Sequence, residues 1–146
     1  MWPFGKKKDK WEGKDSIKQE DLNIMLRALA EEVHTDDSEY TRLPEKKMKA
    51  LVYKYHNSHN DIPYKKDVTD CDDFALLARA DMVRAMYEEK FELPVIFGDA
   101  KIILKNGVVH AVNWTVTSEG KFMAYDPQTQ RWLNEKDYIA INRLRL

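Results

Sequence analysis

The chain has 146 residues, enough for one domain with a sizeable buried core. It is 43% hydrophobic and 34% charged, as in an ordinary soluble globular protein, and its formal net charge of −1 provides no global field that would attract nucleic acid or an anionic membrane. The single cysteine, Cys71, excludes an internal disulfide and suits a reducing compartment, and no apolar run is long enough to span a bilayer.

The N-terminal residues 1–15 are rich in Lys and Gly and show no periodicity, which predicts a flexible basic lead-in before a single domain over residues 16–146. The opening segment lacks the apolar stretch of a secretory signal, so we expect a cytoplasmic protein. Trp2, Phe4 and the lysines after them leave a second interpretation open, a weak contact with a membrane surface or a partner.

Helical periodicity predicts three helices. Ser16 and Gln19 form a capping box for the first, Pro44 stands in the first turn of the second, and the third is expected from about Asp72 to Lys90. Apolar side chains spaced by three and four residues mark the buried side of each helix: Leu22, Met25, Leu26, Leu29, Ala30 and Val33; Met48, Leu51, Val52 and Tyr55; Phe74, Leu77, Ala78, Met82, Ala85 and Met86.

The pattern after Pro94 changes from helix to strand. The predicted strands lie at 95–97, 100–104, 108–117 and 121–126, with a weaker one at 138–144. Asn106-Gly107 predicts a two-residue hairpin turn because both residues tolerate positive φ. Helices followed by an antiparallel meander define an α+β domain.

Three chemically reactive side chains follow one another along this scaffold. Cys71 stands at a helix start, His110 on a strand and Asp126 on the next strand, which is the order of a Cys-His-Asp hydrolase. The helix N-terminus favours a thiolate, whereas Asp72 and Asp73 oppose it. Either a His110 ion pair or a divalent cation on the two aspartates would offset their charge.

The register of the second hairpin tests whether His110 and Asp126 can meet. A two-residue loop would place Asp126 opposite Asn113 and on the other face from His110. A three-residue loop, 118–120, would place it opposite Val112 and on the same face as His110. Because such loops usually end in a left-handed residue and Gly120 is in that position, we expect the three-residue loop.

At Asp70-Cys71-Asp72-Asp73-Phe74-Ala75, His110-Ala111-Val112-Asn113 and Asp126-Pro127-Gln128-Thr129, the chain resembles papain-like and transglutaminase-like cysteine peptidases. It is most similar to the protease domain at the C-terminus of Marasmius-type fungal agglutinins and to small phage and bacterial proteins related to it. The resemblance covers about residues 50–135 and implies a papain-like core. The sugar-binding half of the agglutinins is absent from this resemblance, which therefore implies no lectin function.

The resemblance also implies roles for individual residues in cleaving a peptide or isopeptide bond of a protein substrate. Cys71 would be the nucleophile, His110 the general base and Asp126 the orienting acid, although the fungal domain has Glu at that position. Attack would form an oxyanion held by the Cys71 N–H, with Gln128, Asn113 and Asn57 as candidates for the second donor. Calcium dependence of the fungal protease suggests a Ca²⁺ site at Asp72 and Asp73.

Other interpretations stay open at this point. The same scaffold supports cell-wall amidase or transglutaminase-type chemistry, and a phage or bacterial protein with a hydrolase fold could instead bind a host protein without catalysis. Cys71 could equally be a small buried side chain, and Asp72 and Asp73 could simply complement the helix dipole. His56 and His59 suggest zinc, but neither a second cysteine nor a clear carboxylate completes the set.

Overall fold

The computed structural model describes residues 15–56 and 61–146. Predictions for residues 1–14, for Asn57 and for His59 lie outside the described residues. In chain order the elements are β1 (Ser16–Lys18), α1 (Gln19–Arg27), β2 (Ala30–His34), β3 (Glu39–Thr41), α2 (Glu45–Tyr55), α3 (Cys71–Glu88), β4 (Gly98–Leu104), β5 (Val109–Val116), β6 (Phe122–Asp126), β7 (Arg131–Trp132), a 3-10 turn (Glu135–Asp137) and β8 (Tyr138–Arg145).

Within the described residues, six strands form one mixed sheet in the order β2-β8-β4-β5-β6-β7, and β1 pairs with β3 in a separate antiparallel ribbon. Strand β8 lies parallel to β2 and antiparallel to β4. The predicted arrangement, helices followed by an antiparallel meander in a papain-like core, is therefore wrong. Strands β1 to β3 flank the first helix, and the last strand of the chain inserts between β2 and β4.

The main error in the helix predictions concerns the first helix. It ends at Arg27, and Ala30 and Val33, which continue its apolar periodicity, belong to strand β2. Pairing with β8 outweighs a local pattern that fits both element types. The predicted capping box is also absent, because Ser16 lies in β1 and the Gln19 side chain donates to the Thr35 carbonyl at 2.7 Å.

The helices cover opposite faces of the sheet. Leu22 and Leu26 of α1 pack with Val112 and Trp114 of β5, and we call this side the first face. On the second face, residues of α2 and α3 pack with Tyr125 of β6. Side chains alternate along each strand, so neighbouring residues of β5 point to different helices. Among the described residues, no helix combines the length and apolar character needed to cross a bilayer.

The β5–β6 hairpin has the predicted register. Asn113 pairs with Tyr125 and Val116 with Phe122, which places Asp126 opposite Val112. The Thr117 N–H donates to the Lys121 carbonyl at 2.9 Å, and Gly120 has a φ of +84°, so the loop has three residues. The β4–β5 loop differs from its prediction. It also has three residues, because the Leu104 N–H donates to the Val108 carbonyl at 2.9 Å.

Candidate functional site

His110 and Asp126 form the polar centre of the candidate site. Their contact, between His110 Nε2 and Asp126 Oδ2, is 3.4 Å long, and their side chains are 18% and 11% exposed. The register explains the contact, since both side chains lie on the first face and are diagonal neighbours across β5 and β6. Asp126 Oδ1 accepts the Gln128 N–H at 3.0 Å, which fixes the carboxylate at the end of its strand.

The environment of Asp126 favours its ionised form. Burial by itself would raise the pKa of the carboxyl, but the hydrogen bond and charge of His110 act in the other direction. The Gln128 N–H and the Thr129 hydroxyl add to that effect, and the net result is a pKa below the ordinary value. The site therefore holds a fixed negative charge at neutral pH.

A recess of about 360 Å³ opens beside this pair, between the β4–β5 loop, the start of β7 and the 3-10 turn. We call it the His110 recess. It is lined by two apolar side chains and by polar groups of both charges: Leu104, Lys105, Asn106, His110, Asp126, Arg131, Leu133 and Asp137. Its volume falls within the range of about 300–1,000 Å³ that is typical of small-molecule sites.

Cys71 is the first residue of α3 and is a free, partly exposed cysteine. Its helix packs on the second face of the sheet, where the Asn113 side chain donates to the Ala75 carbonyl at 3.0 Å. His110 points to the first face. The hydrogen bonds and ion pairs of the described residues join His110 to Asp126, and none of them joins Cys71 to either.

Of the predicted oxyanion residues, Asn113 has other side-chain partners, and the oxyanion roles of all three residues stay predictions. Asn113 is fully buried, and its amide nitrogen also donates to the Gly98 carbonyl at 3.1 Å, so it links α3 to the sheet. The Gln128 backbone N–H binds Asp126. Asn57 lies outside the described residues.

Asp72 and Asp73, the predicted calcium ligands, make contacts of their own. Asp73 accepts the Asp70 N–H at 3.1 Å as one half of a capping box, and Asp72 lies 3.6 Å from Lys101 Nζ. Among the described residues, no group of three or more His, Cys, Asp or Glu side chains is placed to hold a metal. Calcium binding stays a prediction.

His56, predicted as a weak zinc candidate, is buried against β6. Its Nδ1 lies 2.9 Å from Asp81 Oδ2, its Nε2 lies 3.4 Å from the Pro127 carbonyl, and its ring meets Tyr125 edge-on. These contacts anchor α2 to α3 and to the segment that follows Asp126.

Sequence reasoning missed the rim of the His110 recess. Arg131 pairs with Asp126 in the register of β6 and β7, but a strand of two residues leaves too short a pattern to detect. Asn106 was predicted only as a turn residue, and Lys105, which precedes it, was not singled out. The predicted turn is the signal that could have located Lys105 and Asn106, because the pairing of β4 with β5 brings the turn beside His110.

Solved structures share this fold. The complex of PSL1a with E64 matches over 92% of this chain and 51% of its own, with a TM-score of 0.74 and 19% identity. Polyporus squamosus lectin bound to the human-type influenza-binding epitope Neu5Acα2-6Galβ1-4GlcNAc matches over 92% and 50%, with a TM-score of 0.71 and 19% identity. The chain thus spans about half the length of each. No protein-family model and no curated protein matches it.

These matches correct the family prediction. One of these structures is that of a lectin with a glycan bound, and no peptidase family model matches, so the expected papain-like or transglutaminase-like peptidase family is wrong. The functional predictions that depend on this family are also wrong. They are a thiol hydrolase, the cell-wall and transglutaminase-type alternatives, and the classification as an enzyme. The reason lies in the fold: linear order indicates which residues follow one another, but not which face of the sheet each one occupies. Whether Cys71, His110 and Asp126 act together stays a prediction.

Proposed function

We propose that this chain is a carbohydrate-binding protein and that the His110 recess holds the glycan. The observation that carries the proposal is the match, over 92% of the chain, to a lectin that was solved with a glycan bound. The recess supports it because it offers both charge signs and apolar surface within one concave site.

The lining matches the chemistry of a sugar ring. Sugar hydroxyls both donate and accept hydrogen bonds. The carboxylates of Asp126 and Asp137 accept from them, and the Asn106 amide can do either. Leu104 and Leu133 supply apolar surface for the C–H face of the ring. Because Asp126 is already fixed by the Gln128 N–H, it need not be ordered when the ligand binds.

The cations of the recess favour an acidic sugar. Lys105 and Arg131 stand on two sides of it, and a guanidinium can bind a carboxylate through two parallel hydrogen bonds. The epitope bound by the Polyporus squamosus lectin carries one carboxylate, on its Neu5Ac residue. We therefore take the sialylated trisaccharide as the first ligand to test on this chain.

Isothermal titration calorimetry with that trisaccharide tests the proposal, with the same glycan lacking Neu5Ac as the ligand control. Loss of one charged hydrogen bond costs about 1.5–3 kcal/mol, so Arg131→Gln should weaken binding roughly tenfold or more. The matched control is Arg84→Gln on the exposed side of α3, where the arginine pairs with Glu88 at 3.5 Å. Failure of the wild-type chain to bind the trisaccharide would overturn the proposal.

A second candidate function, ligand binding through the Cys71 thiol, is favoured by a separate observation. One matched structure is a complex with E64, and Cys71 here is a free, partly exposed cysteine at the start of a helix. Intact-mass measurement after incubation with E64 tests it, with Cys71→Ser as the control. An adduct that disappears in the variant supports this candidate, and an unmodified wild-type chain rejects it.

A further inference from the structure

A second recess, separate from the His110 recess, lies on the second face of the sheet beside the first turn of α3. We call it the Arg143 recess; its volume is about 200 Å³. Its charged lining comes from three elements, namely α3, β4 and β8: Asp72, Asp73, Asp99, Lys101, Arg143 and Arg145. The register explains the cluster, since Asp99 pairs with Arg145 and Lys101 with Arg143 across β4 and β8.

Arg143 is the unusual member of this group. Its Nε is buried and has no hydrogen-bond partner. Leaving a buried donor unsatisfied costs about 1–3 kcal/mol, and more for a charged group. A bound acceptor at this position would remove that cost, and the side chain already lines an open recess.

The acidic side chains of the recess are largely engaged. Asp99 is shared by two arginines, with Arg145 Nε at 2.9 Å and Arg79 Nη1 at 3.4 Å. Asp73 accepts the Asp70 N–H in the capping box. The remaining acid is Asp72, which is 59% exposed at the rim and lies 3.6 Å from Lys101 Nζ.

Across the strand pair, Glu32 of β2 lies opposite Arg143, but its exposed carboxylate binds His34 at 3.0 Å. The charge of Arg143 helps to lower the pKa of Glu32, after the larger effect of the His34 hydrogen bond, but among the described residues no hydrogen bond reaches Arg143 Nε.

We propose that the Arg143 recess binds the phosphate group of a small phosphorylated molecule. Lys101, Arg143 and Arg145 converge on it from two strands, and a phosphate dianion offsets more of their charge than a carboxylate does. The recess also lies at the first turn of an 18-residue helix, whose positive dipole end favours an anion. A volume of about 200 Å³ admits a phosphate and leaves the rest of the ligand outside.

Thermal unfolding in the presence of inorganic phosphate tests the proposal, with acetate at equal ionic strength as the reference anion. Phosphate should raise the Tm of the wild-type chain more than acetate does. Arg143→Gln should weaken phosphate binding about tenfold, whereas Asp72→Asn should strengthen it, because the competing carboxylate is removed from Lys101. Arg84→Gln, far from the recess on α3, should leave binding unchanged.

Opposite effects of the two variants support a phosphate site. An equal response to phosphate and acetate in the wild-type chain, or an unchanged phosphate response in Arg143→Gln, would overturn it. If Arg143→Gln fails to fold, Arg143→Lys is the second variant, because it keeps the charge but lacks Nε. We then expect a folded protein with weakened phosphate binding. Full phosphate binding by Arg143→Lys would contradict the proposal. These outcomes do not depend on the glycan titration, which uses the other recess.

Discussion

Replacing Asp126 with Asn tests whether the negative charge at the centre of the His110 recess is a stabilising feature of the fold. The side chain is 11% exposed, so solvent screens its interactions only weakly. Asn keeps the size and an acceptor for the Gln128 N–H, which is 3.0 Å from Oδ1, but it removes the charge facing His110. Charged hydrogen bonds contribute about 1.5–3 kcal/mol and neutral ones about 1 kcal/mol. The expected loss at pH 7 is therefore about 0.5–2 kcal/mol.

The effect should depend on pH with a definite sign. Because the pKa of Asp126 is lowered in the folded chain, the carboxylate stabilises the fold above the ordinary carboxyl pKa and loses that effect as the pH falls through the lowered value. Urea unfolding should show a stability difference at pH 7 that closes as the pH falls below the ordinary carboxyl pKa and through the lowered value. Asp61→Asn, at an exposed position, is the control and should change little at either pH. Equal stability of wild type and Asp126→Asn at pH 7, or a difference that persists in acid, would refute the reasoning.

Three further predictions concern the scaffold and the thiol. Gly98→Ala should destabilise the fold by about 3 kcal/mol or more, as measured by urea unfolding, because a Cβ there would lie 2.0 Å from the Arg145 carbonyl oxygen. Unchanged stability would contradict the packing of β4 against β8. Asp73→Ala removes half of the α3 capping box and should cost about 1 kcal/mol by the same assay, and an effect near zero would mean that the cap is not needed. Alkylation of Cys71 by iodoacetamide should proceed at the same rate in His110→Ala as in the wild-type chain, since no hydrogen bond or ion pair of the described residues joins the two side chains. A collapse of the rate would show that they interact.

The parts of the fold that local chemistry determines could be predicted from the sequence. The meeting of His110 and Asp126 followed from strand alternation and from a glycine at the left-handed position of the 118–120 loop. Helix α3 was recognised by its apolar periodicity, and its start differs by one residue from the prediction. The hairpin register and the helix depend on residues that are close in the sequence, so the sequence pattern predicts them well.

Features that depend on distant pairing could not be predicted in the same way. Ala30–His34 has a periodicity that fits a helix, and it becomes a strand only because β8, more than a hundred residues later, offers a parallel partner. The face on which Cys71 lies is likewise a property of how α3 docks on β5. The order of the triad along the chain therefore predicts a shared site without determining how the helix docks, and the rim residue Arg131 went unnoticed.

The most direct test of carbohydrate binding is calorimetric titration of the wild-type chain with Neu5Acα2-6Galβ1-4GlcNAc. We expect saturable binding that falls roughly tenfold or more in Arg131→Gln and is unchanged in Arg84→Gln. Absence of a binding heat at saturating glycan, or equal affinity of the wild-type chain and Arg131→Gln, would contradict the assignment of a glycan to the His110 recess.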